Sequence, residues 1–159
     1  MINFKDKKIL VTGATGGIGN ALVKKFLSLG GNVLATGTKI EKLDALKKEF
    51  PKINVLKFDI SDHSKIEDFI ENVSSQLVGL DILVNNAGIL RDKSFTKVEE
   101  EDSRIVSEVH LMGTVNCTKA VWEIMREQNY GRIIVTTSSS GLYGNFGQTN
   151  YGSAKMAVV

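Results

Sequence analysis

Cysteine and proline each occur once, as Cys117 and Pro51, and histidine twice, as His63 and His110, in 159 residues. A lone cysteine rules out an internal disulfide, and no Cys/His spacing resembles a metal site, so no metal is expected. No run approaches the ~18 apolar residues a membrane helix needs, and the start MINFKDKK has no apolar segment behind its charges. Neither a secretion signal nor a membrane span is therefore expected, and a reducing cytoplasm is. Charge of one sign is scarce too: the formal net charge is +2, with lysines interspersed among Asp and Glu. Nucleic acid and acidic membrane surfaces are accordingly not expected partners. There is no repeat, linker or low-complexity segment to divide the chain. At 42% hydrophobic and 24% charged residues the composition is globular, and residues 1–159 are expected to form a single domain.

What is present is an alternation of strand and helix patterns. Lys8 to Thr12 (KILVT) is a short apolar run that breaks into GATGGIG, and Ala21, Leu22, Phe26 and Leu29 follow at helical spacing. Gly13, Gly17 and Gly19 stand where the backbone must turn, approach a ligand and pack a helix on a strand. The helix start they create offers unpaired N–H groups and a positive dipole end to a phosphate. Asn32 to Thr36 reads as the second strand. At its end a ribose 2′-hydroxyl is usually met by Asp or Glu, which would repel a 2′-phosphate. This chain has Thr36, Gly37, Thr38 and Lys39, with two hydroxyls, one cation and no carboxylate. NADP is expected over NAD, the alternative being that Lys39 sits in a solvated turn.

Ile40 to Phe50 is an amphipathic helix stopped before Pro51, and Ile53 to Phe58 alternates into a third strand. Asp59 follows, placed either to accept from an adenine amine or to cap a turn. A helix begun by Ser61, Asp62 or Ser64 carries Ile66, Phe69, Ile70, Val73 and Leu77 toward the core. Asp81 to Val84 is the fourth strand and runs into Asn85-Asn86-Ala87-Gly88, where Asn86 can brace backbone while Ala87 and Gly88 leave room for a ribose. Val98 to Glu127 reads as one long helical region, in which Cys117 is a buried small residue rather than a nucleophile. Arg132 to Thr137 is the fifth strand, ending at Ser138. The pattern predicts an α/β fold, a Rossmann-type doubly wound parallel sheet with its ligand groups along one edge.

The densest chemistry lies in SSSGLYGNFGQTNYGSAK, Ser138 to Lys155. Tyr151 and Lys155 are spaced i,i+4 and share one helix face. A phenol of pKa about 10 is a poor proton donor at neutral pH, and a neighbouring ammonium lowers that value by stabilising the phenolate. That makes Tyr151 a candidate general acid/base, with the Ser138 hydroxyl sharing the oxygen whose charge changes.

Thr12 to Gly19, Asn85 to Gly88, and Ser138 with Tyr151 to Lys155 occur in an order and spacing that resemble the classical short-chain dehydrogenase/reductase family along the whole chain. Gly13, Gly16 and Gly19 also fit a spacing found in extended sugar-nucleotide epimerases, but NNAG and the compact spacing favour the classical branch. Residues 1 to about 85 resemble bacterial 3-oxoacyl-acyl-carrier-protein reductases. From Asp81 onward the chain looks like the (3R)-hydroxyacyl-CoA dehydrogenase units of peroxisomal multifunctional enzymes. Both act on a thioester with oxygen at C3.

The resemblance implies Ser138, Tyr151, Lys155 and His110 as catalytic residues, His110 standing where many members carry an Asn that holds a relay water. It implies cofactor contacts from Gly13, Thr15, Gly17, Ile18, Gly19, Thr38, Lys39, Asp59, Ile60, Asn86, Ala87, Gly88, Tyr151 and Lys155. The implied activity is NADP-dependent reduction of a 3-oxoacyl thioester on CoA or acyl-carrier protein. The alternatives are the reverse oxidation of a (3R)-hydroxyacyl-CoA and a nucleotide-binding fragment without turnover. Family members continue past the point matching Val159. The expectation is thus a fold truncated after the fifth strand and the start of the next helix, weakly active, aggregation-prone, and doubtful as the family's homo-oligomer.

Overall fold

Strands β1 (Lys8–Val11), β2 (Asn32–Gly37), β3 (Asn54–Lys57), β4 (Ile82–Asn85) and β5 (Arg132–Val135) form one parallel sheet in a computed structural model that describes residues 3–159. The order is β3-β2-β1-β4-β5, with Leu10 opposite Leu34 on one side and Leu83 on the other. Helices α1 (Gly17–Ser28), α2 (Ile40–Glu49), α3 (Ile66–Leu77), α4 (Glu100–Ser107), α5 (Gly113–Glu127), α6 (Ser139–Tyr143) and α7 (Thr149–Ala157) complete the fold.

Successive strand residues point to opposite faces, and in β1, β2 and β4 both faces are buried. Ile9 and Val11, Val33 and Ala35, and Ile82 and Val84 pack with Val23 and Phe26 of α1 and Leu46 of α2. Leu10, Leu34 and Leu83 pack instead with Phe69, Ile70 and Val73 of α3 and with Cys117 and Val121 of α5. The central strands β1, β2 and β4 read as apolar runs because neither of their faces meets water, whereas β3 and β5 at the edges are only partly covered. Progression along the sheet reverses between β1 and β4, so a crevice opens beyond their carboxyl ends.

Two features depart from the sequence pattern. The expected single helix over Val98 to Glu127 is α4 and α5 joined by a π-helical turn, Glu108–Met112. The Gly113 N–H reaches back to the Glu108 carbonyl, one residue further than in an α-helix. His63 grips the same residue twice, with Nε2 3.1 Å from the Glu108 carbonyl and Nδ1 3.1 Å from its carboxylate. At the other end Gly113 lies under Ile60, so close that a Cβ there would stand 3.0 Å from Ile60 Cγ1. The second feature is α6, a short helix whose sequence SSGLY has no helical periodicity. Ser138 starts it by accepting the Ser140 N–H at 3.2 Å, a side-chain cap that offsets the lack of pattern.

No helix among the described residues is long and apolar enough to cross a membrane. Cys117 is fully buried in the α3 and α5 face, and burial pushes its thiol up to about 12. At pH about 8 it should therefore react with a disulfide reagent at least about a hundredfold more slowly than a free thiol of ordinary pKa, and stoichiometrically once denatured. Rapid labelling of the folded chain, followed by absorbance, would contradict this packing.

Candidate active site

The crevice is fastened at Thr12, the first residue past β1. Its backbone N–H donates to the Val84 carbonyl at 3.1 Å, and its hydroxyl donates to the same carbonyl at 3.1 Å. That hydroxyl also accepts the N–H groups of Asn86 and Ala87, each at 3.0 Å. The Asn86 carboxamide returns the contact, donating to the carbonyls of Thr12 at 3.0 Å and Gly13 at 3.2 Å. The glycine loop and the turn after β4 are thereby held together. Gly13 adopts φ of +62°, and a Cβ there would stand 2.7 Å from Ala87 Cα, so no side chain fits. No side chain caps α1 and no acid occupies its first turn, which leaves its first N–H groups for an anion.

From this loop a cavity of about 820 Å³ runs along the carboxyl edge of the sheet. Gly13, Thr15, Gly17, Ile18 and Gly19 line one end, Thr38, Asp59 and Ile60 the side, and Asn86, Ala87, Gly88, His110, Tyr151 and Lys155 the other end. The sequence-derived residues are thus brought together, with two exceptions. Lys39 is exposed at the N-cap of α2 and does not line the cavity; Lys42, one turn on, does. Ser138 is not a lining residue either, and its Oγ is engaged as the α6 cap. Asp59 lines the cavity while its Oδ1 accepts the N–H of Ser61 at 3.0 Å and the Ser61 hydroxyl at 2.7 Å, so it caps a turn as well.

Sequence reasoning counted the Thr36 hydroxyl toward a 2′-phosphate but did not single out Lys42. The Thr36 hydroxyl is buried in the wall of the cavity without a partner among the described residues. Arg91 and Thr136 also line the cavity and were not anticipated. Among the described residues no group of three or more His, Cys, Asp and Glu is placed to hold a metal.

At the chemical end, α7 stacks Tyr151 and Lys155 one turn apart. Lys155 is buried, and its ammonium donates to the Thr136 carbonyl just past β5. Thr137 fastens the helix by donating to the Lys155 carbonyl at 2.9 Å. Burial pushes the Lys155 ammonium below its ordinary pKa. Its Nζ lies 5.8 Å from the Tyr151 ring centre, within cation–π reach. No partner among the described residues claims the half-buried Tyr151 hydroxyl.

His110, in the π turn, meets the Tyr151 ring edge-on with centres 5.2 Å apart. It is buried, and its Nε2 lies 2.8 Å from the Ile89 carbonyl and 3.1 Å from the Ile89 nitrogen. Nε2 donates to the carbonyl in one tautomer and accepts the Ile89 N–H in the other, and in both Nδ1 is buried with no partner among the described residues. Gly88 makes room for the ring, since a Cβ there would stand 2.4 Å from His110 Cε1.

Burial lowers the His110 pKa, the Ile89 hydrogen bond opposes this, and the Lys155 charge adds to the lowering. Below its ordinary 6.5 the unfolded chain therefore takes up a proton that the folded chain refuses. His110 should make the fold less stable as pH falls through that value toward the lower folded one, and add no pH dependence above it. Denaturant titrations between pH about 7.5 and 5.5 should show this decline, weakened by up to about one proton in His110→Asn. Identical slopes for the two proteins would mean that His110 titrates freely.

Comparison with known proteins matches residues 7–159 to the short chain dehydrogenase family model. Over 99% of its length the chain is 41% identical to "Peroxisomal multifunctional enzyme A" of Dictyostelium discoideum and 37% identical to "3-oxoacyl-[acyl-carrier-protein] reductase FabG" of Thermotoga maritima. It spans 38% of the first protein and 66% of the second. A crystal structure of a short-chain dehydrogenase from Streptomyces avermitilis superposes with a TM-score of 0.90 at 30% identity, covering 96% of this chain and 56% of that one. The matched segment is also the one whose residues the sheet gathers at the cavity, so fold and similarity carry one conclusion: this chain belongs to the short-chain dehydrogenase family.

Proposed function

We propose that residues 1–159 act as one dinucleotide-binding domain of an NADP-dependent oxidoreductase that reduces a 3-oxoacyl thioester, on CoA or acyl-carrier protein, to the 3-hydroxyacyl thioester. The observation that carries this reading is the Tyr151 and buried Lys155 pair sharing one cavity with the glycine loop. A nicotinamide dinucleotide bound there supplies the hydride for C3. The Tyr151 hydroxyl donates a proton to the oxygen at C3, with the Lys155 cation one helix turn away on the same side of the cavity. Ser138 lies outside the cavity lining, and because its Oγ accepts from Ser140 its own proton is left free; a small shift of the α6 start would bring that proton to the same oxygen. His110 Nδ1, unpaired among the described residues, holds a water that returns protons to the pair. The Thermotoga maritima relative, named as a 3-oxoacyl-[acyl-carrier-protein] reductase, supports the substrate class. Run in reverse, the same groups oxidise a 3-hydroxyacyl thioester. The free, buried Cys117 fits a reducing compartment, the cytoplasm in our reading.

The residues fit the dinucleotide. Gly13, Thr15, Gly17, Ile18 and Gly19 would hold its pyrophosphate, Asp59 and Ile60 its adenine, and Asn86, Ala87, Gly88 and Lys155 its riboses. Thr36, Thr38 and Lys42 offer two hydroxyls and a cation at the end of β2, where no carboxylate stands, which suits a 2′-phosphate. NADPH should bind about tenfold more tightly than NADH, and Lys42→Ala should erase most of that difference. A carboxylate belongs at exposed Thr38, not at Gly37, whose Cβ would press to 3.1 Å from the Thr15 hydroxyl. Thr38→Asp should thus favour NADH. Equal affinities in the parent, by fluorescence titration, would remove the NADP assignment.

Tyr151→Phe removes the proton donor and little else. Reductase turnover should fall at least about a hundredfold while NADPH affinity stays within about threefold. Substantial turnover in this variant would place the acid elsewhere.

A further inference from the structure

Asn150, beside Tyr151, is only 6% exposed and spends both ends of its carboxamide. Its Oδ1 accepts the Tyr151 N–H at 2.8 Å, one of the first-turn donors of α7 that no helical carbonyl can satisfy. Its Nδ2 donates to the carbonyl of Arg91 at 3.1 Å, across 59 residues of sequence. Two further bonds run alongside. Gln148 Nε2 donates to Asp92 Oδ2 at 2.8 Å, and the Lys93 N–H donates to the Gly147 carbonyl at 3.0 Å. The loop after β4 is thereby laced to the turn before α7.

The same loop is held at Ile89 by His110, whose ring meets Tyr151. A closed circuit results: Tyr151 to Asn150, Asn150 to Arg91, along the chain to Ile89, Ile89 to His110, and back to Tyr151. We infer that Asn150 is a positioning residue for Tyr151, fixing the start of α7 against the cavity wall so that the phenol stays in place. This rests on the reading of Tyr151 as the acid. The carboxamide is suited to the task because one planar group both accepts and donates, and burial keeps water from competing for either bond.

Amide hydrogen exchange on the chain without ligand reads the circuit directly. Asn150→Ala removes both bonds and should speed exchange at Tyr151 and Lys93 by about tenfold or more, local opening being what exchange reports. Asn150→Asp keeps the acceptor and loses the donor, so exchange should quicken at Lys93 while Tyr151 stays protected. Unchanged exchange at both amides in Asn150→Ala, or parallel behaviour of the two amides in Asn150→Asp, would overturn the inference. The Asp variant decides the matter if the Ala variant does not fold.

In turnover, Asn150→Ala should lower kcat by about tenfold or more while the KM for cofactor stays within about threefold, the signature of a misplaced reacting group. A kcat within about twofold of the parent would also overturn it. Retained turnover in Tyr151→Phe would instead remove the functional reading, while the exchange data would still decide whether Asn150 fixes α7.

Discussion

The Thr12 hydroxyl has one proton and two lone pairs, and all are used: it donates to Val84 and accepts from Asn86 and Ala87. This saturated group sits where β1 and β4 run out, the place at which a parallel sheet would otherwise fray into two diverging loops. Because Thr12 is 2% exposed, water cannot substitute for any of the three bonds. The cavity floor depends on it. One loop leads to the glycines and α1, the other to Gly88 and the His110 contact, and the two ends of the cavity share an origin at this hydroxyl.

Around that fixed floor the walls are built from opposite kinds of contact. The glycine end relies on absence of side chains, with Gly13 against Ala87 and Gly19 so near the Gly13 carbonyl that a Cβ would stand 2.4 Å away. The chemical end relies on buried polar groups that are paired: Lys155 to Thr136, His110 to Ile89, Asn150 to Arg91 and Tyr151. Polar groups kept from water hold geometry well when satisfied and cost most when not. Among the described residues the two buried side-chain atoms that lack partners, Thr36 Oγ1 and His110 Nδ1, both belong to residues lining the cavity.

What could be read from the sequence was what depends on local order. The strands were legible because Leu10, Leu34 and Leu83 are buried as fully as their neighbours, giving unbroken apolar runs. Tyr151 and Lys155 were legible because one helix turn relates them. Lys42 rather than Lys39 lines the cavity because Lys39 stands outside α2 as its N-cap and Lys42 within its first turn, a distinction that rests on where the helix begins. The π turn left no mark, since one inserted residue shifts the phase of an amphipathic pattern without breaking it. Asn150 was passed over because its partner, Arg91, is adjacent only in three dimensions.

The π turn also sets a counting rule for the helix that contains it. An α-helix advances about 100° per residue, so the extra residue in Glu108–Met112 rotates everything after it by that amount relative to everything before. Loss of any one residue there would restore a regular backbone ladder, a local gain. The same loss would carry either the α4 side, with His110, or the α5 side, with Gly113 beneath Ile60, out of phase with the sheet. At this point in the chain, backbone regularity and a correctly faced cavity are mutually exclusive, and the length of the segment is as much a part of the site as the identity of its residues.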